Sequence, residues 1–460
     1  MKQASVLLVN PWIADFAAYD LWSKPAGLLY VAKFLQKYGY QIRLLDFMDR
    51  QRWNSTGSSK PISGRGKYQK TIIPKPSVLK HVPRRYGLYG ATRDQITAAL
   101  QHCPLVDAIL VTSLVIFWYP GVQQTVTLLR EIFPQTKIIL GGVYATLQPE
   151  HARKTIQPDY LVEGYGEKQA LMIVDGLVGI QRDYSLIPPT DDSGRLPLEL
   201  YPQIITAPIL TSRGCPMHCD YCATPLLNPH FVQREPADVV SEILYHYHQL
   251  GIYQFAFYDD ALFINKQQHI IPILESLIKS GIAAEFHTPI GLFAREIDSQ
   301  LASLMRLSGF KTVRISLESI SSKWQKASSM KVTNDQFEQA LRHLENAGYK
   351  RSEIEVYLIM GLPRQTFREM EAAIQYVTSQ GAITRLASFS PIPKTKTWQW
   401  AHTKGYNWDE MDLLLTNNTV YPCASNENTV IQFYELRNLS NQMNQKIRNE
   451  IHQEEAAWEV

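Results

Sequence analysis

The chain has 460 residues, 45% of them apolar and 19% charged, with a formal net charge of +3. That length holds two or three domains, that apolar fraction builds a packed core, and so small a charge argues nothing global about nucleic acid or membranes. The longest apolar run, Ala108 to Tyr119, has 12 residues and includes Thr112 and Ser113, too short to cross a bilayer, so no membrane partner is expected and the run reads as a buried strand. The apolar run Val6 to Val9 is too short for a secretory signal, so none is expected. Five cysteines, three of them clustered, do not make a disulfide framework, and a cytoplasmic protein is expected.

Residues 1–175 alternate strand and helix patterns. "SVLLVNPW", "QIRLLDF", "DAILVTSLVIFW", "TKIILGGVYATL" and "PDYLVEGYGE" read as strands, with "GLLYVAKFLQKYGY" and "GVQQTVTLLREIF" as helices between them. This predicts a doubly wound, Rossmann-like α/β domain that binds its ligand beyond the strands' carboxyl ends. No Gly-x-Gly-x-x-Gly follows the first strand, so a dinucleotide is not expected. Residues 51–92 interrupt the rhythm with nine Lys or Arg and no Asp or Glu. The segment reads as a solvated loop or lid, or, through Tyr68, Tyr86 and Tyr89, as a basic-aromatic surface for an anionic substrate or RNA. Residues 176–204 read as a linker.

From 205 to 395 six strand patterns alternate with amphipathic helices: "PILTSRGCP", "QFAFYDDALF", "AAEFHTPIG", "KTVRISLES", "IEVYLIMGLP" and "RLASFSPIP". This predicts a parallel sheet with its chemistry at the carboxyl ends of the strands. Residues 396–460 read as short helices and one long polar helix, a helical extension suited to covering an open sheet edge. Cys423 there reads as a buried core residue.

The first of these six strands runs into "RGCPMHCDYC", which holds Cys215, Cys219 and Cys222. Zinc wants four ligands, with His218 as a fourth; a [4Fe–4S] cube held by three thiolates keeps one iron open. The pattern Cys-x3-Cys-x2-Cys, with Tyr221 before the last cysteine, resembles the radical S-adenosylmethionine (SAM) superfamily. The resemblance implies a partial (βα)6 barrel, a [4Fe–4S] cluster on the three cysteines, and SAM chelated at the open iron and cleaved reductively to a 5′-deoxyadenosyl radical. It also implies an electron donor such as flavodoxin or ferredoxin. By position it places Asp259 or Asp260 at the SAM amino group, Glu318 at the ribose or methionine, and Gly361 near adenine. Arg295 follows the third strand and suits the SAM carboxylate or an anionic substrate. The plainer readings are a helix cap for Asp259 and Asp260, a surface acid for Glu318, a turn for Gly361 and a solvated cation for Arg295.

The first domain resembles the cobalamin-binding domain that precedes many radical SAM barrels. Ser113 and the pair Gly141-Gly142 stand 28 residues apart, near that family's Ser…Gly-Gly spacing. The resemblance implies that the serine touches the cobalamin nucleotide tail and that the glycines let the backbone approach it. The family's cobalt-ligating Asp-x-His-x-x-Gly reads "DFMDRQ" here, so no histidine is expected on cobalt. The function implied is a cobalamin-dependent radical SAM methyltransferase or related C–C bond-forming enzyme. The alternatives are a radical SAM cyclase, rearranging or RNA-modifying enzyme without methylcobalamin, and a zinc- or cluster-stabilised binding protein.

Overall fold

In a computed structural model, which describes residues 3–53, 63–328, 330–408, 410–423 and 427–458, Val6 to Val9 are all buried. Burial on both faces is why the strand is continuously apolar rather than alternating. Two compact units are present, Met1–Pro208 with Tyr245–Ile252 and Ile209–Leu244 with Tyr253–Val460.

The first unit is built on five strands: β1 (Ser5–Asn10), β2 (Gln41–Asp46), β3 (Ala108–Val111), β4 (Lys137–Leu140) and β5 (Tyr160–Leu161). Their spatial order is β5-β4-β3-β1-β2, all parallel. Helices α1 (Ala26–Lys37), α2 (Arg93–Gln101), α3 (Tyr119–Ile132) and α4 (Glu167–Val178) cover the sheet. In α1 the buried positions Leu28, Val31, Ala32 and Leu35 recur at helical spacing and pack on Val6, Leu8 and Ala108. The chain reverses direction across the sheet between β1 and β3, and ligands of such sheets sit at that switch point.

Two expectations need correction. The run 108–119 is not one strand. β3 ends at Val111, Ile116–Trp118 is a short 3-10 turn, and α3 begins at Tyr119 with a proline in its first turn. Ser113 bends the chain by donating to Gly141 O at 2.6 Å and accepting from Ala145 N–H at 3.2 Å. Nor are the tyrosines of 51–92 displayed. Gly87–Tyr89 pairs antiparallel with Ile13–Asp15 and Lys70–Ile72, and Tyr68, Tyr86 and Tyr89 are buried. The Tyr86 and Tyr89 hydroxyls donate to the Ala14 and Phe16 carbonyls. The insertion thus folds as a small sheet against the segment after β1; residues 54–62 of it lie outside the described residues.

The second sheet runs β6 (Thr206–Ile209), β7 (Gln254–Phe257), β8 (Glu285–His287), β9 (Phe310–Glu318), β10 (Ile354–Met360) and β11 (Ile383–Ser388) in that spatial order, with the division between the units falling inside β6 and β7 to β11 lying in the second unit. The pairs from β7 onward are parallel. Helix α5 (Pro236–Leu250) crosses the division between the units. Helices α6 (Ile270–Ser280), α7 (Ser299–Ser308), α8 (Asn334–Asn346) and α9 (Phe367–Ser379) connect the following strands. On β9 the buried Val313, Ile315 and Leu317 take one face, while Arg314, Ser316 and Glu318 take the other. Phe255 and Phe257 stack on Phe286, and Phe257 also stacks on Phe310, with ring centroids 5.6–5.7 Å apart.

The long helix α10 (Glu427–Trp458) finishes the sheet edge. Thr384 of β11 has its N–H and C=O turned outward, and the Asn444 amide meets both at 2.9 Å. A side-chain amide thereby stands in for a neighbouring strand.

Candidate functional site

Beyond β6 the chain enters the cysteine loop, and a buried carboxylate fixes where it starts. Asp259, on the turn after β7, accepts from Thr211 N–H at 2.9 Å, Thr211 Oγ1 at 2.7 Å and Ser212 Oγ at 2.6 Å. Burial pushes its pKa up while these donors pull it down. Thr211 Oγ1 also lies 2.8 Å from Nε2 of the buried His269. Gly214 then turns the chain with φ of 80°, and a side chain there would meet His230 O at 2.6 Å.

The three cysteines follow on one loop, none fully buried and none in a disulfide. Asp220 N–H donates to Ala327 O at 3.0 Å, Thr397 N–H donates to Asp220 O at 2.8 Å, and Cys219 Sγ lies 3.3 Å from Ser328 O. Cys222 Sγ is 3.3 Å from Thr224 Oγ1 and 3.4 Å from the Thr224 N–H, donors that suit a thiolate. The Cys215 thiol is pushed up to about 11 by burial, with Asp260 and Cys219 adding to the rise and Lys331 opposing it. No three His, Cys, Asp or Glu side chains among the described residues close around a single ion, and His218 is exposed. Three thiols on one loop, anchored at both flanks and electrostatically in touch, fit a larger cluster that takes thiolates.

Four other sequence-flagged residues stand around this loop. Asp260 is raised to about 6, by burial first and then by Asp259, against the Thr224 hydroxyl and Lys331. Glu318 ends β9 at a break in register and holds φ of 65°, a conformation that costs a non-glycine residue about 1–2 kcal/mol. Its carboxylate meets Lys331 Nζ at 3.4 Å, and Lys331 also stands 4.5 Å over the Phe293 ring. Arg295 places Nη2 4.0 Å from Met217 Sδ inside the cysteine loop and pairs with Glu296 at 3.1 Å. Gly361 closes β10, but its N–H is taken by Gln365 Oε1 at 2.7 Å. Tyr221 packs on a cluster that includes Leu362, Phe389, Trp398 and Trp408.

The structure therefore brings Cys215, Cys219, Cys222, Asp260, Glu318 and Arg295 to one place. It gives Asp259 to the loop's backbone instead of leaving it free for a ligand. Lys331 escaped the sequence reading because it sits 13 residues after Glu318, on a turn with no motif spacing.

In the first unit the flagged residues bind each other. Gly142 has φ of 96°, and a side chain there would meet Ser113 O at 2.2 Å. The glycine is required by the close approach of the loops after β3 and β4, whereas a side chain at Gly141 would meet nothing nearer than Val162 at 3.7 Å. A separate pocket of about 240 Å³ opens at the switch point, lined by Asn10, Trp12, Lys24, Met48, Leu114 and Trp118 among others. Leu114 is 58% exposed there, and no histidine lines it among the described residues. Lys24 is paired with Asp49 at 3.3 Å and lies 4.5 Å over the Tyr201 ring. Among the described residues no helix is long and apolar enough to cross a membrane.

Residues 209–377 match the model of the Radical SAM superfamily. In an alignment 445 positions long, which covers 83% of this chain and 78% of the relative, the chain is 23% identical to cytidylyl-2-hydroxyethylphosphonate methyltransferase of Streptomyces wedmorensis. Among solved structures it is similar to the radical SAM methyltransferase TsrM of Kitasatospora setae with tryptophan and a SAM analogue bound, with a TM-score of 0.66, 16% identity, and coverage of 87% of this chain and 76% of that one. It is also similar to the cobalamin-dependent radical SAM enzyme OxsB with aqua-cobalamin and SAM bound, with a TM-score of 0.56, 14% identity, and coverage of 96% and 62%. At such identities the structural likenesses carry the fold: an α/β domain followed by a parallel-stranded barrel. The matched residues, 209–377, are the part of this chain that carries the cysteine loop and most of the barrel, and there the chain has a Radical SAM domain.

Proposed function

We propose that this enzyme is a cobalamin-dependent radical SAM methyltransferase acting on an unactivated carbon. The observation that carries the reading is the presence in one chain of the three-cysteine loop at the barrel's carboxyl end and of an aromatic-walled pocket at the switch point of a β5-β4-β3-β1-β2 sheet. When bound, the cluster supplies the electron that cleaves SAM, and cobalamin supplies a methyl carrier.

Cys215, Cys219 and Cys222 hold the cluster, with the Thr224 N–H donating to the Cys222 sulfur. Asp259 acts as a positioning residue, fixing the loop through Thr211 and Ser212. Asp260, Glu318 and Arg295 present two acids and a cation that match the amino, ribose or carboxylate groups of SAM. Leu362 and the backbone at Gly361 form an apolar edge suited to adenine. In the first unit, Trp12, Leu114 and Trp118 offer a flat apolar wall to a macrocycle, and a tail entering beside Gly141-Gly142 has to displace the Ser113–Gly141 bond. The cobalt face meets no histidine. A cytoplasmic setting with a flavodoxin- or ferredoxin-type donor suits a cluster that must be reduced.

The test is anaerobic purification with cobalamin supplied, followed by absorption spectra, metal analysis and product analysis with SAM. About four iron and four sulfide per chain, cobalamin uptake and 5′-deoxyadenosine formation are expected. One zinc without sulfide overturns the cluster. Absence of cobalamin uptake removes the methyl-transfer reading and leaves radical chemistry with SAM alone.

A further inference from the structure

A cavity of about 500 Å³ opens where β10 turns into α9. One wall is that turn, with Arg364 and Arg368; the facing walls are Tyr406 and the first turns of α10, with Gln432 and Phe433. No Asp or Glu lines it among the described residues. Both arginines are exposed, and Arg364 stands 5.5 Å over the Trp400 ring. Arg364 also has φ of 63°, a backbone conformation that residues other than glycine seldom adopt. α9 begins at this wall with a capping box, in which Glu369 accepts from Thr366 N–H at 2.7 Å, so the anion-binding charge of the cavity comes from the two arginines.

The floor has the opposite character. Leu362 and Phe433 are buried and apolar. Leu362 and Tyr406 also belong to the aromatic cluster on which Tyr221 of the cysteine loop packs. A cationic rim without acids selects an anion. An aromatic floor selects a ring or short apolar body attached to it. An aqueous channel would need neither.

We propose that this cavity binds the anionic end of the enzyme's substrate: a phosphate, phosphonate or carboxylate carried on a ring or short apolar body. Arg364 and Arg368 take the anion, and Tyr406 and Phe433 take the body. The assignment rests on the radical SAM reading above for the word substrate, but not for the binding itself.

The test uses the full chain, purified anaerobically with its cluster, and titrates it calorimetrically with phenyl phosphate, inorganic phosphate and phenol. Phenyl phosphate is expected to bind more tightly than inorganic phosphate, and phenol not at all. In the double variant Arg364→Gln/Arg368→Gln the phenyl phosphate dissociation constant is expected to rise at least about tenfold, the loss of a charge-assisted contact. Iron content and the melting curve show whether that variant is folded, and Arg364→Lys/Arg368→Lys is expected to recover part of the affinity because charge is kept. Equal affinity in wild type and double variant, or phenol binding as well as phenyl phosphate, overturns the proposal. If phenyl phosphate binds as described but SAM is never cleaved, the radical SAM reading fails alone. If SAM is cleaved and no anion binds, this inference fails alone.

Discussion

At the carboxyl edge of the first sheet, Ser113 bonds Gly141 and the backbone of Gly142 sits against Ser113; at the carboxyl edge of the barrel, Glu318 is held in left-handed backbone beside Lys331 and the cysteine loop. Both edges carry residues flagged by position in a motif. In the first, the flagged polar and glycine positions are consumed by the packing of two loops, and the space lies one strand over, at the switch point. In the second, the flagged side chains converge and some backbone strain is retained. Strain that packing does not require points more directly to a ligand than a motif whose atoms already satisfy one another.

The comparison breaks most completely at the cysteines. Replacing Cys215, Cys219 or Cys222 by Ala is expected to abolish SAM cleavage and remove most of the iron, read by metal analysis, since the cube has no substitute ligand. Gly142→Val sharpens the other side. It should destabilise the apo-protein by on the order of 3–4 kcal/mol, from left-handed strain and overpacking against Ser113, seen as a lowered melting temperature without cobalamin. Trp118→Ala should instead reduce cobalamin uptake with a smaller effect on the melting temperature. Were Gly142→Val to melt like the wild type and lose only cobalamin, the space there would belong to the tail.

Asn444→Leu tests whether the barrel's edge depends on one amide. It leaves the Thr384 N–H and C=O buried and unpaired, and a loss on the order of 3 kcal/mol is expected in denaturant unfolding. Glu318→Gly separates function from stability. SAM affinity should fall by about 1.5–3 kcal/mol while stability changes by less than about 1 kcal/mol, because the strain relieved at φ of 65° is offset by the lost Lys331 contact and the freer unfolded chain. Calorimetric SAM titration and thermal melting read the two effects.

The smallest effect concerns His269, which burial beside Arg234 lowers from 6.5 to about 4. The unfolded chain binds the proton first as pH falls, so the folded state loses stability between pH 6.5 and about 4 and keeps it above that window. His269→Gln should flatten this slope in unfolding experiments; an unchanged slope would mean that His269 takes its proton without loosening Thr211 and the cysteine loop.

Much of this was legible in the chain itself. The two α/β patterns, the six barrel strands and the cysteine loop are local, because apolar periodicity and ligand spacing are carried by neighbours in sequence. The run 108–119 misled for the same reason. Its apolar residues are spread over a strand, a 3-10 turn and the start of a helix, and periodicity does not register the bend that Ser113 makes by reaching Gly141, 28 residues away.

Which residues meet was decided only by tertiary structure. Asp259 and Asp260 are adjacent in sequence, yet one is spent on Thr211 and Ser212 while the other faces Lys331 and Cys215. Lys331, Asn444 and the arginine-rimmed cavity have no spacing to announce them, since each gains its role from a partner brought by a different element. Composition and period fix the strands and helices and the kind of metal the loop can hold. The allocation of each polar group, to a ligand or to the chain's own backbone, follows from burial, which makes an unpaired polar atom costly and so depends on what the fold brings within hydrogen-bonding distance.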